Sequence, residues 1–262
     1  MTLDPILELE AAAPAGADAA EWKLRVQLAA CYRVFAALGW IELIFNHITL
    51  RVPGGPGEGP AFLINPFGLT YREVTARNLV KVGHDGLPLQ ETPHHVNRAG
   101  FVIHSAVHAA RADAHCVMHT HTTAGMAVAG KKGGLSYDNF YGAELFGDVA
   151  YHDFEGITVH ADEGPRLVAS LADKRVLILR NHGLLVVGAD VFGAFRWMWT
   201  LQRACEVQLA ADSLRGDDIV LADHIREACG RDARAFEPRG QLERLLFLSV
   251  LRDAGVDPAS LI

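Results

Sequence analysis

Three histidines stand where their imidazole rings can meet. His119 and His121 are two residues apart at the end of an apolar segment typical of a β-strand. Because residues i and i+2 of an extended chain project to the same side, both rings can reach one ion. His182 ends a second apolar segment, and Gly183 indicates a turn. Three imidazoles with an open fourth position suit a catalytic zinc site, although the spacing also fits three separate hydrogen-bonded histidines at strand ends.

Two further histidines lie one helical turn apart. His104 and His108 are spaced i, i+4 in a predicted helix, so they are able to share an ion. No third ligand at helical spacing accompanies them, and both lie opposite the apolar positions of that helix. We therefore predict that they belong to a solvated or interface face. The neighbours His94 and His95 form a poor ligand pair, because adjacent side chains point apart.

Composition and charge are those of an ordinary globular protein. Half of the 262 residues are hydrophobic, 21% are charged and the formal net charge is −7. The absence of a long basic run speaks against nucleic acid and anionic membranes, and leaves small molecules and protein partners. No apolar stretch is long enough for a membrane span and no signal peptide is evident, so we expect a cytoplasmic protein. The cysteines, none in a C-x-x-C pair, are expected to be reduced.

Helices and strands that must position these side chains alternate along the chain. Apolar periodicity predicts helices at 21–38, 95–111, 122–130 and 189–213, with two shorter ones at the end. Strands are predicted at 47–52, 61–65, 79–82, 115–119, 157–160, 175–180 and 184–187. Glycine and proline predict a loop at 53–60. An alanine-rich, proline-containing start predicts a flexible tail over residues 1–20, followed by a single α/β domain over 21–262.

From about residue 22 to 215 the chain resembles the class II aldolase/adducin family. The matching segments follow the family's order and are Asn46–Arg51, Phe62–Gly68, His119–His121 and Asn181–Gly183. The resemblance implies a three-layer α/β/α fold around a mixed, largely antiparallel sheet. It also implies a divalent ion held by the three histidines, Zn²⁺ first of all, with Fe²⁺ or Mn²⁺ as alternatives. A cyclic homotetramer with sites at subunit interfaces is the implied assembly.

The same resemblance assigns further residues to the site. By analogy, Tyr141 is a candidate proton donor, with Tyr137 and Tyr151 as alternatives. The residues expected at the substrate are Asn46, Phe67, Gly68 and Arg98.

Several positions depart from the family's pattern. Family aldolases carry a catalytic Glu nineteen residues before the first histidine ligand, where this chain has Gly100. Arg98 and Ala99 replace two phosphate-binding serines, and Phe67 replaces a small polar residue. A glycine cannot transfer a proton, so the resemblance implies a pocket less suited to sugar phosphates.

Three functions remain open at this point. The first is a metal-dependent lyase that cleaves a carbon–carbon bond of a non-phosphorylated keto or hydroxy acid, by aldol-type cleavage or decarboxylation. The second is an Fe²⁺-dependent oxygenase of aromatic keto acids. The third is a non-catalytic, adducin-like scaffold, which the loss of the Glu favours and the presence of all three histidines disfavours.

Overall fold

A mixed sheet lies at the centre of the protein. The computed structural model describes residues 4–54, 59, 61–157, 162–236 and 241–262. Its strands are β1 (Ile48–Val52), β2 (Ala61–Ile64), β3 (Val80–Val82), β4 (Cys116–Thr120), β5 (Val149–His152), β6 (Val176–Leu179) and β7 (Gly183–Gly188). They lie in the order β3-β2-β1-β4-β7-β6-β5. Neighbouring strands are antiparallel except β5 and β6, which are parallel. The prediction of a largely antiparallel, mixed sheet is confirmed.

Helices cover both faces of this sheet. They are α1 (Leu7–Ala11), α2 (Ala19–Leu38), α3 (Arg98–Ala110), α4 (Thr123–Ala129), α5 (Phe140–Glu144), α6 (Glu163–Leu171), α7 (Val191–Asp212), α8 (Asp223–Ala235) and α9 (Leu242–Asp253). The core on one face includes residues of α2, α4 and α7, and the core on the other includes residues of α3 and α6. The predicted three-layer α/β/α fold is confirmed. Along the described part of the chain, no helix has the length and apolar character needed to cross a membrane.

Strand β4 shows how the layers are built. Cys116 and Met118 belong to the core beneath α2 and α7, whereas Val117 belongs to the core beneath α3 and α6. Because successive side chains alternate between faces, a strand covered on both sides must be apolar almost throughout. His119 therefore stands out as a polar residue at the end of a buried apolar strand, on the same face as Val117.

The N-terminal segment differs from the flexible tail that the composition predicts. Leu7–Ala11 is helical, and Ile6 is completely buried. The buried carboxylate of Glu10 accepts hydrogen bonds from Gln27 at 2.9 Å and from Arg244 at 3.0 Å. Trp22 donates to the Leu9 carbonyl at 2.8 Å. Alanine is the commonest residue of this segment, but the buried Ile6 and the paired carboxylate of Glu10 anchor its described part, with Gln27 on α2 and Arg244 on α9 as the partners of Glu10.

One strand of the sheet is absent from the sequence prediction. Val149–His152 forms β5, where no strand is predicted, and pairs with β6 in parallel. Its residues are mostly half-buried, as expected at a sheet edge, so its hydrophobic signal is weak. The strand predicted at 157–160 falls largely outside the described residues.

The prediction for His104 and His108 is wrong, because both side chains are buried. The hydroxyl of Thr49 on β1 lies 2.7 Å from His104 Nδ1 and 2.7 Å from His108 Nε2. His108 Nδ1 donates to the Ala114 carbonyl at 2.8 Å. The apparently polar face of α3 thus packs on the sheet, because a threonine there supplies the polar partner that a sequence pattern cannot show.

Buried neutral histidines should make the fold sensitive to acid. Burial lowers the pKa of His108 to about 3, from an ordinary value of 6.5. Below pH 6.5 the unfolded chain therefore binds a proton that the folded chain does not, so stability is full above this pH and falls as pH drops. His108→Gln should flatten the dependence of the free energy of unfolding on pH by at most about 1.4 kcal/mol per pH unit.

Urea unfolding of the metal-free protein at a series of pH values from neutral to mildly acidic provides the measurement. The exposed His224 offers a matched control, because His224→Gln should leave the slope unchanged. An identical slope in His108→Gln and the parent protein would contradict the buried neutral imidazole.

Candidate metal centre

The three predicted ligands meet where the end of β4 lies beside the start of β7, in the middle of the sheet. A nitrogen of each of His119, His121 and His182 lies within 4.8 Å of the others. The ring centroids are 4.5 to 4.9 Å apart. Across the described residues, no other group of three or more histidine, cysteine, aspartate or glutamate side chains has this spacing. This cluster can hold a single ion.

Strand β4 and the helix after it position the first two rings. His119 lies on β4, and His121 lies directly after the strand, so both rings project to one side. Thr122 then caps α4, its hydroxyl accepting from the Gly125 amide at 3.2 Å. The Thr122 hydroxyl also donates to Gln202 on α7 at 2.6 Å. His121 is therefore held between a strand end and an anchored helix start.

The third ring is positioned by a tight turn between β6 and β7. Asn181 has a φ of 55°, in the left-handed region that asparagine tolerates better than most residues. His182 follows, and its amide donates to the Leu179 carbonyl at 3.0 Å. A Cβ on Gly183 would lie 2.4 Å from the Thr120 carbonyl oxygen and 3.0 Å from the His121 ring. A glycine here therefore lets β7 approach β4 closely enough for the three rings to converge.

The protonation states suit metal coordination. His119 Nδ1 lies 2.9 Å from the Leu184 carbonyl, which can only accept, so Nδ1 carries the proton and Nε2 keeps its lone pair. Nε2 in turn lies 2.7 Å from His121 Nε2. Burial lowers the pKa of His119 well below its ordinary value, and lowers the pKa of His182 to about 4. The rings are therefore neutral at neutral pH, the form in which imidazole binds a metal, and the donor set fits a divalent ion.

An exposed aromatic ring lies beside the centre. The ring of Phe154, which is 52% exposed, lies 6.2 Å from the His182 ring. In the segment before β1, Leu43 and Phe45 are also exposed. The carboxylate of Glu42, in the same segment, acts electrostatically to raise the pKa of His121, against the larger lowering by burial. One exposed aromatic ring therefore lies beside His182, and the Glu42 carboxylate lies near enough to act on His121.

The expected substrate residues lie in different environments. Asn46 is buried, and neither polar atom of its amide has a hydrogen-bond partner within the described structure. Phe67 is partly exposed, and its amide donates to the His95 carbonyl at 2.8 Å. Gly68 has a φ of 99°, which favours glycine. Arg98 begins α3, and its side chain lies outside the described residues. Contact of these residues with substrate stays a prediction.

Tyr141 is not among the described contacts of the three histidines. It lies on α5, where the Arg203 guanidinium is 5.7 Å from the centre of its ring. It lines an apolar cavity of about 780 Å³ between α5, α7, α8 and α9. Tyr137 packs on Phe146, with ring centroids 5.2 Å apart. The catalytic role that the family resemblance gives to Tyr141 stays a prediction.

A fourth histidine, predicted from the sequence only as part of a strand, lies beside the cluster. His47 is buried, with its ring centroid 5.7 Å from that of His119. Its Nε2 donates to the Gly100 carbonyl at 2.9 Å. Burial lowers the pKa of His47 to about 4. Two sequence features could have indicated its role: a histidine directly before the buried strand β1, and a glycine inside α3. They are far apart in the sequence, so no local pattern connects them.

Comparison with known proteins identifies the family. Residues 26–209 match the model of the class II aldolase and adducin N-terminal domain. A Pseudomonas aeruginosa protein whose name assigns it to aldolase class 2 is 48% identical over 205 residues, 78% of each chain. Mouse alpha-adducin is 46% identical over 224 residues, which are 84% of this chain and 30% of that protein. The chain belongs to the class II aldolase and adducin family.

Solved structures agree with this assignment. An aldolase II superfamily protein from Pseudomonas syringae superposes with a TM-score of 0.83 at 40% identity, over 91% of this chain and 94% of that one. An L-fuculose 1-phosphate aldolase from Glaciozyma antarctica superposes with a TM-score of 0.76 at 28% identity, over 94% of each chain. The fold is therefore that of the class II aldolases.

Metal binding should depend on each of the three convergent histidines. Replacing His119, His121 or His182 by Ala removes one of three donors, so we expect bound Zn²⁺ to fall well below one ion per chain. Elemental analysis after Zn²⁺ loading and gel filtration measures this content. The exposed His224 provides the control, since His224→Ala should keep the parent's content. Full metal content in His182→Ala would refute the assignment.

Proposed function

We propose that this protein is a metal-dependent carbon–carbon lyase acting on a non-phosphorylated keto or hydroxy acid, by aldol-type cleavage or decarboxylation. The observation that carries the proposal is the convergence of three neutral imidazoles where the end of β4 lies beside the start of β7. A divalent ion held by His119, His121 and His182 would act there as a Lewis acid toward a carbonyl or hydroxy-carbonyl group. We propose Zn²⁺ as this ion.

The charge of the donor set supports a carboxylate-bearing substrate. Three neutral imidazole ligands do not reduce the double charge of the ion, whereas a carboxylate ligand would reduce it. A substrate that brings its own negative group balances this charge in a partly buried site, where electrostatic interactions are stronger than in water. A small keto or hydroxy acid meets this requirement with its carboxylate next to the carbonyl or hydroxyl oxygen.

The surroundings of the centre support a substrate with an apolar portion. Phe154 packs near His182, and Phe45 belongs to the exposed apolar segment before β1. The buried amide of Asn46 has no described hydrogen-bond partner. A buried amide left unpaired costs about 1–3 kcal/mol, so a hydrogen bond from this amide to a ligand atom would be favourable. The proposed substrate therefore presents an acid group toward the ion and an apolar or aromatic group toward Phe154 and Phe45.

Position 100 argues against a sugar phosphate as the principal substrate. Gly100 has no side chain that could transfer a proton, a step typically worth about 10²–10⁴-fold in rate. Loss of CO₂ needs no prior removal of a proton, so decarboxylation suits this site better than cleavage that relies on a carboxylate base. The proton that quenches the product must then come from another group, for which Tyr141 remains our candidate.

A second candidate is a non-catalytic role, and the likeness to alpha-adducin favours it. Mouse alpha-adducin is 46% identical to this chain over the matched region. This alternative predicts no turnover of any keto or hydroxy acid by the metal-loaded protein. The substrate assay given at the end of this subsection therefore separates the lyase from the non-catalytic role. An Fe²⁺-dependent oxygenase would instead consume O₂ and would be active only after loading with iron.

The assembly and location are also part of the proposal. We propose a homotetramer with sites at subunit interfaces, which would allow a residue such as Tyr141 to approach the centre of a neighbouring subunit. We propose a cytoplasmic location, supported by four cysteines that are all unpaired, as reducing compartments favour.

Activity should separate two substrate classes. With Zn²⁺ bound, we expect turnover of keto or hydroxy acids that carry an apolar group, and weak or absent cleavage of fuculose and ribulose phosphates. Release of CO₂ or an aldehyde, followed for both panels with the same protein, gives the measurement. Metal-free protein and His119→Ala serve as blanks. Cleavage of a ketose phosphate at ordinary enzyme rates, on the order of 1–10³ s⁻¹, would overturn the substrate assignment.

A further inference from the structure

The ring of His47 occupies the space that the Cβ of any side chain at position 100 would need. A Cβ built on Gly100 would lie 2.1 Å from His47 Cε1 and 2.5 Å from both ring nitrogens. Real Cβ atoms essentially never approach other atoms so closely, so His47 and any larger residue at position 100 exclude each other in this arrangement. Gly100 is therefore the counterpart that makes room for the imidazole.

Hydrogen bonding fixes the state of this ring. His47 Nε2 lies 2.9 Å from the Gly100 carbonyl oxygen, which can only accept, so Nε2 carries the proton. The longer separation of 3.3 Å between Nδ1 and the Phe45 carbonyl belongs to the nitrogen without a proton. The glycine at position 100 thus supplies both the space for the ring and the acceptor that orients it.

A buried polar array supports the ring from inside the protein. The ring centroids of His47 and His104 are 4.2 Å apart. Because His108 Nδ1 donates to Ala114, His108 Nε2 accepts from the Thr49 hydroxyl, and the Thr49 oxygen then accepts from His104 Nδ1. These bonds leave no freedom to the tautomers of His104 and His108. His47 therefore rests against a ring whose own orientation is fixed.

The His47 ring also lies beside the proposed metal centre. Its ring centroid lies 5.7 Å from that of His119, the ligand whose Nδ1 is already fixed by the Leu184 carbonyl. Within the described structure, His47 does not join the three nitrogens that converge, so it is not one of the ligands in this arrangement. Groups that hold ligands in place are commonly worth about 10–100-fold in metal affinity.

We propose that His47 is a positioning residue of the metal centre, seated by Gly100 and supported by the Thr49–His104–His108 array, and that its ring holds His119 in the orientation that binds the ion. This inference rests on the proposed function only in requiring that the three histidines bind a metal. It adds that the side of the cluster facing position 100 is closed by an imidazole.

A double-mutant cycle tests the pairing. The proteins are the parent, His47→Ala, Gly100→Ala and the double variant, with Gly133→Ala as control, because a Cβ on Gly133 meets nothing within 4 Å. Each is measured without metal for its urea midpoint, and with Co²⁺ for affinity and visible spectrum. Gly100→Ala should lower the midpoint, and the double variant should recover much of that loss, because the methyl group enters the space that the ring has left.

The metal measurements separate positioning from mere packing. His47→Ala should bind Co²⁺ about 10–100-fold more weakly with an altered spectrum, and the double variant should stay equally weak although its stability recovers. Additive effects of the two substitutions on the midpoint would overturn the pairing. Parent-like affinity and spectrum in His47→Ala would overturn the positioning role.

A further variant keeps the test decisive if His47→Ala does not fold. His47→Gln retains a donor for the Gly100 carbonyl but no ring against His119, so we expect a folded protein with weakened Co²⁺ binding, and parent-like binding would refute the role. Failure of the parent itself to bind Co²⁺ would overturn the metal centre as a whole, a result distinct from the loss confined to the His47 variants.

Discussion

The antiparallel pairing of β4 with β7 is the interaction on which the proposed site depends. In this register His119 lies opposite Leu185 and Thr120 lies opposite Leu184. The end of β4 is thereby placed beside the start of β7, so His121 and His182 reach His119 from two chain segments about sixty residues apart in sequence. A shift of one residue would turn His119 to the opposite face of the sheet and separate the three rings.

Close packing at this crossing leaves little tolerance. Gly183 is where a side chain would meet both the Thr120 carbonyl and the His121 ring. The left-handed backbone of Asn181 directs the chain into this glycine, and the two residues frame His182. The Asn-His-Gly sequence is thus a structural requirement of the turn as much as a source of one ligand.

A second constraint is the burial of four imidazoles, for which the described structure shows no ion pair with a carboxylate. They belong to His47, His104, His108 and His119. Desolvation disfavours the charged form, so these rings remain neutral and keep a lone pair available. The stability that results is sensitive to acid, because the unfolded chain takes up protons that the folded chain refuses. A bound ion would favour the same neutral forms, so metal binding and folding would reinforce each other.

Much of this arrangement could be predicted from sequence, and the remainder had identifiable physical causes. Local periodicity and strand alternation were sufficient for the helices α2 and α7 and for the shared direction of His119 and His121. The edge strand β5 was not predicted, because its half-buried residues give a weak hydrophobic pattern. The structure of the N-terminal segment was not predicted either, because the partner of Glu10 is Arg244, far along the chain. His104 and His108 were misplaced because Thr49, their buried partner, lies on another element. His47 was overlooked for the same reason, since its significance depends on a glycine fifty-three residues later.

X-ray absorption at the zinc edge of the Zn²⁺-loaded protein tests the three-histidine centre, because it reports the number and type of atoms bound to the ion. We expect three imidazole nitrogens at about 2.0–2.1 Å, with the remaining coordination completed by oxygen or another light atom. A sulfur scatterer, or a spectrum that requires fewer than three imidazoles, would contradict the three-histidine centre.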